Sequence, residues 1–422
     1  MAVVEARANN KRDSAAPLDN AQYSRPGLVA ATSLLLGPAL LVFAPNLLGL
    51  TAFVAALCAP SWNRASPSRK TGVYAWLIAA LCLWGVGRMT LAPLPPTQEI
   101  LAMLSVMAIV LAGMLVGGEV RRGVDRALVT RAAMAGIGVA GAMLAVDAGM
   151  GWFPLQQVSG TAEGLGRDAS LQEPARVFAY VAISALLPLG FAGAGMCLRL
   201  GLVGLMAAIG IVLAFGALTV FTQHWLGLAA WALGLIILIC GYLRPEWTFS
   251  AVAQIGAIGI ALSPWWLAPL GGLLAQWLQK ALPADAEFAW VGRVQSWGYA
   301  AKLIAQKPLH GWGPGASASF DQTYSLGGYP IAYFSGHPHS AALQLWVEMG
   351  GGGAALACAG LAAFGRRNGA ALAKDSAASA AASSVLAIGI TLACLDSDFW
   401  SLSLWTALAL CVVITRLFRD AP

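Results

Sequence analysis

Long apolar runs alternate with short polar segments along almost the whole chain. A bilayer core about 30 Å thick requires roughly 20 apolar residues in each spanning helix, and many of these runs reach that length. The pattern therefore predicts an all-α polytopic membrane protein with about twelve transmembrane helices. The predicted spans are 28–43, 46–61, 72–91, 98–117, 132–150, 176–196, 201–220, 225–243, 248–268, 341–364, 379–396 and 400–416.

The apolar pattern is interrupted at both ends of the chain and once in its interior. Residues 1–26 are polar and predict a disordered cytoplasmic tail rather than a signal peptide. Residues 27–268 hold the first nine spans, and residues 341–417 hold the last three before a short tail at 418–422. Between these groups, residues 269–340 are predicted to form one large loop on the outer face, containing short amphipathic helices.

Composition and charge support a membrane protein and argue against nucleic-acid binding. The chain is 59% hydrophobic and only 10% charged, whereas soluble domains average roughly 25% charged residues. Most of the 25 Lys and Arg residues fall in segments that alternate to one side, which is the positive-inside pattern and places both termini in the cytoplasm. The residues left for the other face are Arg88, Arg167, Arg176, Lys280, Arg293, Lys302 and Lys307.

The seven cysteines all lie inside apolar runs, and none forms a CxxC pair. Ligand clusters of the kind that bind structural zinc, and the spacings of a disulfide framework, are therefore not expected. The sequence predicts neither a metal site nor a cofactor.

Arginine is the first candidate for chemistry on the outer face. Arg293 lies in a predicted amphipathic helix at 288–306, and Arg176 and Arg88 lie at the ends of predicted spans on the same face. Guanidinium groups bind phosphate oxygens through a planar fork, so the three arginines predict an anion site at headgroup depth. Each arginine could instead be an interfacial anchor whose charged end reaches water.

Histidine is the second candidate. His339 lies directly before the tenth predicted span, with Pro338 and His337 preceding it. A neutral imidazole can take a proton from a hydroxyl group, although a lone histidine can equally be a helix cap or a packed side chain. Trp346 shares the predicted helix face of His339 and could line a pocket, while Trp297 belongs to the apolar stripe around Arg293.

Three carboxylates on or near this face are interpreted as structural. Glu348 follows His339 by nine residues, which is about half a turn around a helix, so it is predicted to be a hydrogen-bonding group inside the membrane. Asp396 and Asp398 bracket the outer end of the eleventh span and are predicted to lie in a solvated turn.

Two blocks within residues 292–353 carry the most distinctive sequence. In one, His339-Ser340 is followed by nine residues and then by Gly350-Gly351-Gly352-Gly353. The other runs Gly292-Arg293-Val294-Gln295-Ser296-Trp297 and continues at Lys307-Pro308-Leu309-His310-Gly311-Trp312-Gly313. In this order and in a single outer loop, the pair resembles the arginine block and the histidine motif of the bacterial O-antigen ligases.

The resemblance implies an inverting, metal-independent glycan transfer at the periplasmic face of the bacterial inner membrane, without a cofactor. The implied donor is a polysaccharide on undecaprenyl pyrophosphate, and the implied acceptor is a hydroxyl of the lipid A–core oligosaccharide. Carried over by position, His339 is expected to be the general base and Arg293 to hold the donor pyrophosphate. Arg176 and Arg88 are the other expected pyrophosphate ligands, and His337, Trp297 and Trp346 are expected to support the site.

Other functions remain open at this point. An O-antigen polymerase would use the same donor, and a protein O-oligosaccharyltransferase would use a protein acceptor; Ser340 and the glycine run favour a ligase over a polymerase. A secondary transporter would place ionisable residues and helix breaks near the middle of the membrane in matching halves, whereas here they lie at the outer boundary. A non-catalytic scaffold would leave the combination of His339 and Arg293 unexplained.

Overall fold

The computed structural model describes residues 28, 31–36, 38, 83–84, 123–149, 174–222, 224–281, 284–326 and 329–419. Within these ranges the long helices are α1 (Gly123–Gly149), α2 (Pro174–Cys197), α3 (Gly201–Phe221), α4 (Trp225–Leu243), α5 (Thr248–Ala281), α6 (Ala284–Gln306), α7 (Ala341–Leu372), α8 (Ser376–Leu395) and α9 (Leu402–Arg419). Strands β1 (Thr323–Leu326) and β2 (Tyr329–Ala332) form an antiparallel hairpin, which the sequence did not predict.

Six helical stretches in the described residues are long and apolar enough to cross a membrane. They are Leu128–Val146, Tyr180–Phe221, Trp225–Leu243, Thr248–Leu273, Ala341–Leu372 and Ser376–Leu395. The second stretch contains both α2 and α3, which the sequence predicts as two spans. The largely helical architecture is therefore confirmed, and these six stretches are candidate membrane spans. The total of twelve stays a prediction, because the first four predicted spans lie largely outside the described residues.

Helix α5 extends beyond its predicted span of 248–268. It continues through Pro264 and Pro269 to Ala281, so the beginning of the 269–340 interval is helical. Hydropathy falls near Pro269 although the backbone stays helical, and for this reason the apolar run alone placed the helix end too early.

Polar side chains compensate for Pro264 inside α5. Proline has no N–H group, so the carbonyl of Ile260, four residues earlier, loses its helical partner. That carbonyl accepts hydrogen bonds from the Ser263 hydroxyl at 2.9 Å and from the Trp346 indole of α7 at 3.1 Å. In a membrane helix such side-chain donors satisfy the freed backbone group, and here one of them also joins α5 to α7.

Helix α6 is the predicted amphipathic helix, and it ends at Gln306 as predicted. It does not simply rest on a membrane surface. Trp297, Ala300 and Leu303 are buried in a small core together with Leu267 of α5 and Val347 of α7. Helix α6, which carries Arg293, is therefore packed against both α5 and α7.

Contacts between turns show which of them share an end of the helical bundle. Asp396, at the end of α8, contacts both Arg293 of α6 and His224, between α3 and α4. Arg199, between α2 and α3, forms an ion pair with Asp375, between α7 and α8. The turns that contact each other are in each case turns that the sequence predicts to lie on the same face of the membrane.

Candidate active site

The two glycine-containing blocks meet at a break in α7. Gly350 has φ +65° and ψ −172°, which interrupts the helix. The carbonyls of Val347 and Glu348, which the break leaves without their helical partners, accept hydrogen bonds from the backbone N–H groups of Trp312 and Gly313, both at 2.8 Å. The glycine turn that follows α6 is thus bonded into the gap of the interrupted helix.

The exchange runs in the other direction as well. The N–H groups of Gly351 and Gly352, just after the break, donate to the carbonyls of Pro308 and Leu309 at 2.8 and 3.1 Å. A Cβ atom on Gly350 would lie 2.4 Å from the backbone nitrogen of Gly311. Only glycine fits so close an approach at a positive φ, and the contact fixes the turn after α6 relative to α7.

Asp396 joins three helices at the end of the bundle. One carboxylate oxygen accepts a hydrogen bond from the Arg293 guanidinium at 2.5 Å, and the other lies 3.0 Å from Nε2 of His224. The Arg293 and Asp396 side chains are 18% and 13% exposed. His224 is buried and its ring stacks on Tyr180 of α2, with 4.8 Å between centroids.

The charge state of Asp396 follows from these contacts. Burial alone would raise its pKa, but the positive charge of Arg293 and the hydrogen bonds from His224 and Arg293 outweigh burial and lower the pKa below its usual range. An ionised carboxylate only accepts hydrogen bonds, so His224 must carry its proton on Nε2. Asp396 is therefore a fixed anion that compensates the charge of Arg293.

The two motif histidines stand side by side immediately before α7. The ring centroids of His337 and His339 are 4.6 Å apart, and Nε2 of His339 lies 3.1 Å from the Ser335 hydroxyl. His339 has φ +50°, a conformation that non-glycine residues rarely adopt and that concentrates at functional sites. Ser340 then caps α7 by accepting a hydrogen bond from the Leu343 N–H at 3.3 Å.

The surroundings keep both imidazoles neutral near pH 7. Burial is the main cause that lowers the pKa of His339 well below its usual value, and the charges of His337 and Arg293 lower it further, against a smaller opposing effect of Asp396. Burial also lowers the pKa of His337, where Asp398 and Asp396 oppose the shift. A neutral imidazole is the form that accepts a proton, and Arg293 is close enough for its charge to act on it.

Part of the chain matches a known protein family. Residues 198–358 match the family model described as O-antigen ligase. Over these residues the chain is similar to the O-antigen ligase family. No curated protein and no solved structure matches the chain. The matched residues begin directly after α2 and end within α7, and they include Arg293 and His339 but not Asp396.

The structure brings together some of the residues that the sequence predicted for the site. Arg293, His337 and His339 lie at one end of the bundle, within range of one another's charges. Arg176 lies in the first turn of α2. Arg88 lies outside the described residues.

The two predicted supporting tryptophans pack between helices. Trp297 is 1% exposed, and its ring meets Trp290 edge-on. Trp346 is bonded to the Ile260 carbonyl and contacts Trp265 edge-on. Both side chains hold α5, α6 and α7 against one another, and their support of the site stays a prediction.

The sequence interpretation missed two residues of the site. Asp396 was expected in a solvated turn, and that prediction is wrong, because its carboxylate is mostly buried in an ion pair. His224 was left without an assigned role. The available signals were weak: a carboxylate and a histidine, each at the end of an apolar run on the face where charge is scarce.

Glu348 is a buried hydrogen-bonding group, as predicted, and it lies within the candidate membrane span Ala341–Leu372. It is 1% exposed and accepts three hydrogen bonds. Among the described residues, no group of three or more His, Cys, Asp and Glu side chains has an arrangement that could hold a metal ion. The arrangement offers a neutral base, a charge-compensated guanidinium and buried support for both.

Proposed function

We propose that this membrane protein is an O-antigen ligase. It transfers a polysaccharide from undecaprenyl pyrophosphate to a hydroxyl of the lipid A–core oligosaccharide, at the periplasmic face of the inner membrane and without a metal ion. The observation that supports the proposal is that the charges of the Arg293–Asp396 pair act on His339, in a chain whose residues 198–358 match the O-antigen ligase family model.

The proposed reaction is one displacement at the anomeric carbon of the donor sugar. The acceptor hydroxyl oxygen forms the new bond to that carbon while the bond to the pyrophosphate oxygen breaks, so the configuration inverts. The acceptor proton passes to the neutral imidazole of His339, and undecaprenyl pyrophosphate leaves as the anion. Because pyrophosphate is a good leaving group, positioning, a base and charge stabilisation supply most of what the step requires.

Arg293 is the group that we assign to the leaving pyrophosphate. Its guanidinium offers several N–H donors in a plane, and the side chain keeps 18% of its surface exposed next to Asp396. Asp396 and His224 fix the direction of the guanidinium before the donor arrives. Arg176 and Arg88 remain proposed as additional pyrophosphate ligands from the same predicted face.

The Ser335 hydroxyl marks where an acceptor hydroxyl would stand. It lies 3.1 Å from Nε2 of His339 and belongs to an exposed residue. An acceptor hydroxyl that displaced it would meet the same ring nitrogen at hydrogen-bond distance, which is the geometry a general base needs.

The test is transfer by purified protein in nanodiscs, with undecaprenyl-pyrophosphate-linked polysaccharide as donor and lipid A–core as acceptor, analysed on gels. Wild-type protein should yield lipid A–core carrying long chains, and His339→Ala should yield none. His310→Ala is the matched control and should remain active, because His310 is exposed and its ring contacts the Gly311 carbonyl rather than the histidine pair.

Two outcomes would contradict the proposal. Longer lipid-linked chains formed from the donor alone, without acceptor modification, would indicate a polymerase. Full transfer by His339→Ala would remove His339 as the base, whatever the reaction.

A further inference from the structure

Glu348 is a buried carboxylate that the proposed chemistry does not use. It lies in α7, nine residues after His339, and is 1% exposed. Its Oε1 accepts a hydrogen bond from the Gln344 amide at 3.0 Å, and its Oε2 accepts from the Gly315 backbone N–H at 2.8 Å and from the Trp400 indole at 2.9 Å. All three partners are donors, and they come from three different parts of the chain.

Gln344 extends this network to the turn after α8. Its side-chain oxygen accepts a hydrogen bond from the Phe399 backbone N–H at 2.8 Å, while its amide nitrogen faces Glu348. The Phe399 N–H can only donate, so the orientation of the Gln344 amide is fixed by its partners. The two residues, one helical turn apart, hold Phe399 and Trp400 against α7.

The turn so held is the segment that carries the anion of the site. Asp396 lies three residues before Phe399, and it is bonded to Arg293 at 2.5 Å. The hydrogen bond from the Gly315 N–H to Glu348 holds the end of the glycine turn, which is inserted into the break of α7. Any loosening at Glu348 therefore reaches Arg293 through the Asp396 turn, while His339 stays on the capped start of α7.

We propose that Glu348, acting with Gln344, is a positioning residue that sets the Asp396–Arg293 pair against the His339 base. The inference rests on the proposed glycosyl transfer and adds a residue to it. Glu348 touches neither substrate nor reacting atoms; it acts by orienting the turn that carries Asp396.

Glu348→Gln tests the network without changing the size of the side chain. A glutamine oxygen can accept from Gly315 and Trp400, but its NH₂ group then faces the NH₂ group of Gln344. Turning the Gln344 amide around moves the conflict to the Phe399 N–H. One donor is left against another in either arrangement, and a buried unpaired donor is costly.

The exchanged pair, Glu348→Gln with Gln344→Glu, removes the conflict. The glutamate at 344 accepts from Phe399 and from the new glutamine at 348, whose oxygen accepts from Gly315 and Trp400. Every hydrogen bond of the network is restored, with only the direction of the central bond reversed. The double variant therefore keeps every hydrogen bond of the network and changes only the position of the carboxylate.

The experiment measures kcat and KM for both substrates in nanodiscs, per folded molecule, with melting temperature as the check on folding. We expect Glu348→Gln to lower kcat roughly tenfold or more, since misplacement of catalytic groups is costly, with KM for the acceptor within about twofold of wild type. The exchanged pair should recover most of the loss. Gln254→Leu is the control: it removes a 2.8 Å bond between α5 and the Ala362 carbonyl of α7, away from the site, and should leave kcat unchanged.

The outcomes separate the two proposals. Wild-type kcat in Glu348→Gln would overturn the positioning role, and so would an exchanged pair that folds but stays as slow as the single variant. A single variant that fails to fold leaves the decision to the exchanged pair, whose wild-type kcat supports the network. If wild-type protein transfers no glycan in this assay, the proposed function itself is wrong and the positioning role falls with it.

Discussion

Asp396→Asn isolates the charge of the buried ion pair from its hydrogen bonds. The asparagine oxygen can still accept from Arg293 at the place where the carboxylate now lies 2.5 Å away. Its NH₂ group can donate to Nε2 of His224, because a neutral imidazole can carry its proton on either nitrogen. The variant thus keeps both hydrogen bonds at position 396, moves the His224 proton to the buried Nδ1, which has no partner among the described residues, and leaves the Arg293 charge without its anion.

The cost of that change follows from the burial of the pair. Opposite charges about 4 Å apart attract by roughly 4 kcal/mol at an effective dielectric constant of about 20, and removing one partner of a buried pair costs about 3–5 kcal/mol. The Arg293 and Asp396 side chains are 18% and 13% exposed, so water reduces the loss to about 2–4 kcal/mol. A bound pyrophosphate would return a counter-charge to Arg293 and recover part of this loss.

The assay is thermal unfolding of purified protein with and without undecaprenyl pyrophosphate. Asp396→Asn should melt several degrees below wild type without the lipid and should gain more from the lipid than wild type does. Asp398→Asn is the matched control: Asp398 accepts from the Trp400 N–H at 2.9 Å, which an asparagine oxygen can still do. Equal melting of Asp396→Asn and wild type, or an equal loss in the control, would refute the reasoning.

Two further predictions concern the base and the guanidinium. Burial and neighbouring charges lower the pKa of His339, so its imidazole stays neutral as the pH falls. The rate of transfer should therefore be constant between about pH 7.5 and 6.5 and decline only below about 6.5, the ordinary pKa of histidine. A pH–rate profile whose acid limb is centred at or above about 6.5 would contradict this. Arg293→Lys keeps the charge but loses the planar fork, and we expect kcat/KM for the donor to fall about 10- to 100-fold, corresponding to about 1.4–2.8 kcal/mol. Wild-type donor kinetics in the lysine variant would exclude recognition through the fork.

The apolar pattern predicted the described helices well where the lipid environment alone decides their ends. Helix α4 spans 225–243, as its hydropathy predicts. The end of α5 was predicted wrongly because Pro269 and the following drop in hydropathy indicate a loop, whereas packing against α6 and α7 keeps the backbone helical. The β-hairpin was not predicted, because each of its strands has only four residues and is too short to show a periodic hydrophobic pattern.

The site was predictable only as far as residue type allows. Arg293 and His339 were identified because a charged or titratable group at a membrane boundary needs a reason to be there. Asp396 is 103 residues from Arg293 and 172 residues from His224 along the chain. No local spacing rule relates residues so far apart, so the carboxylate that compensates the guanidinium became recognisable only when the helices were packed.

The glycines of the two sequence blocks allow the turn after α6 and the break in α7 to contact each other, and this packing rather than catalysis explains them. In an uninterrupted helix, the carbonyl of Val347 would accept from the N–H of Gly351; instead it accepts from Trp312, while Gly351 donates to Pro308. This exchange requires two backbones in direct contact, and a Cβ on Gly311 would lie within 2.6 Å of the α7 backbone. A histidine at the start of α7 and an arginine on α6 thus keep a fixed relation because glycine lets the turn between them enter the helix.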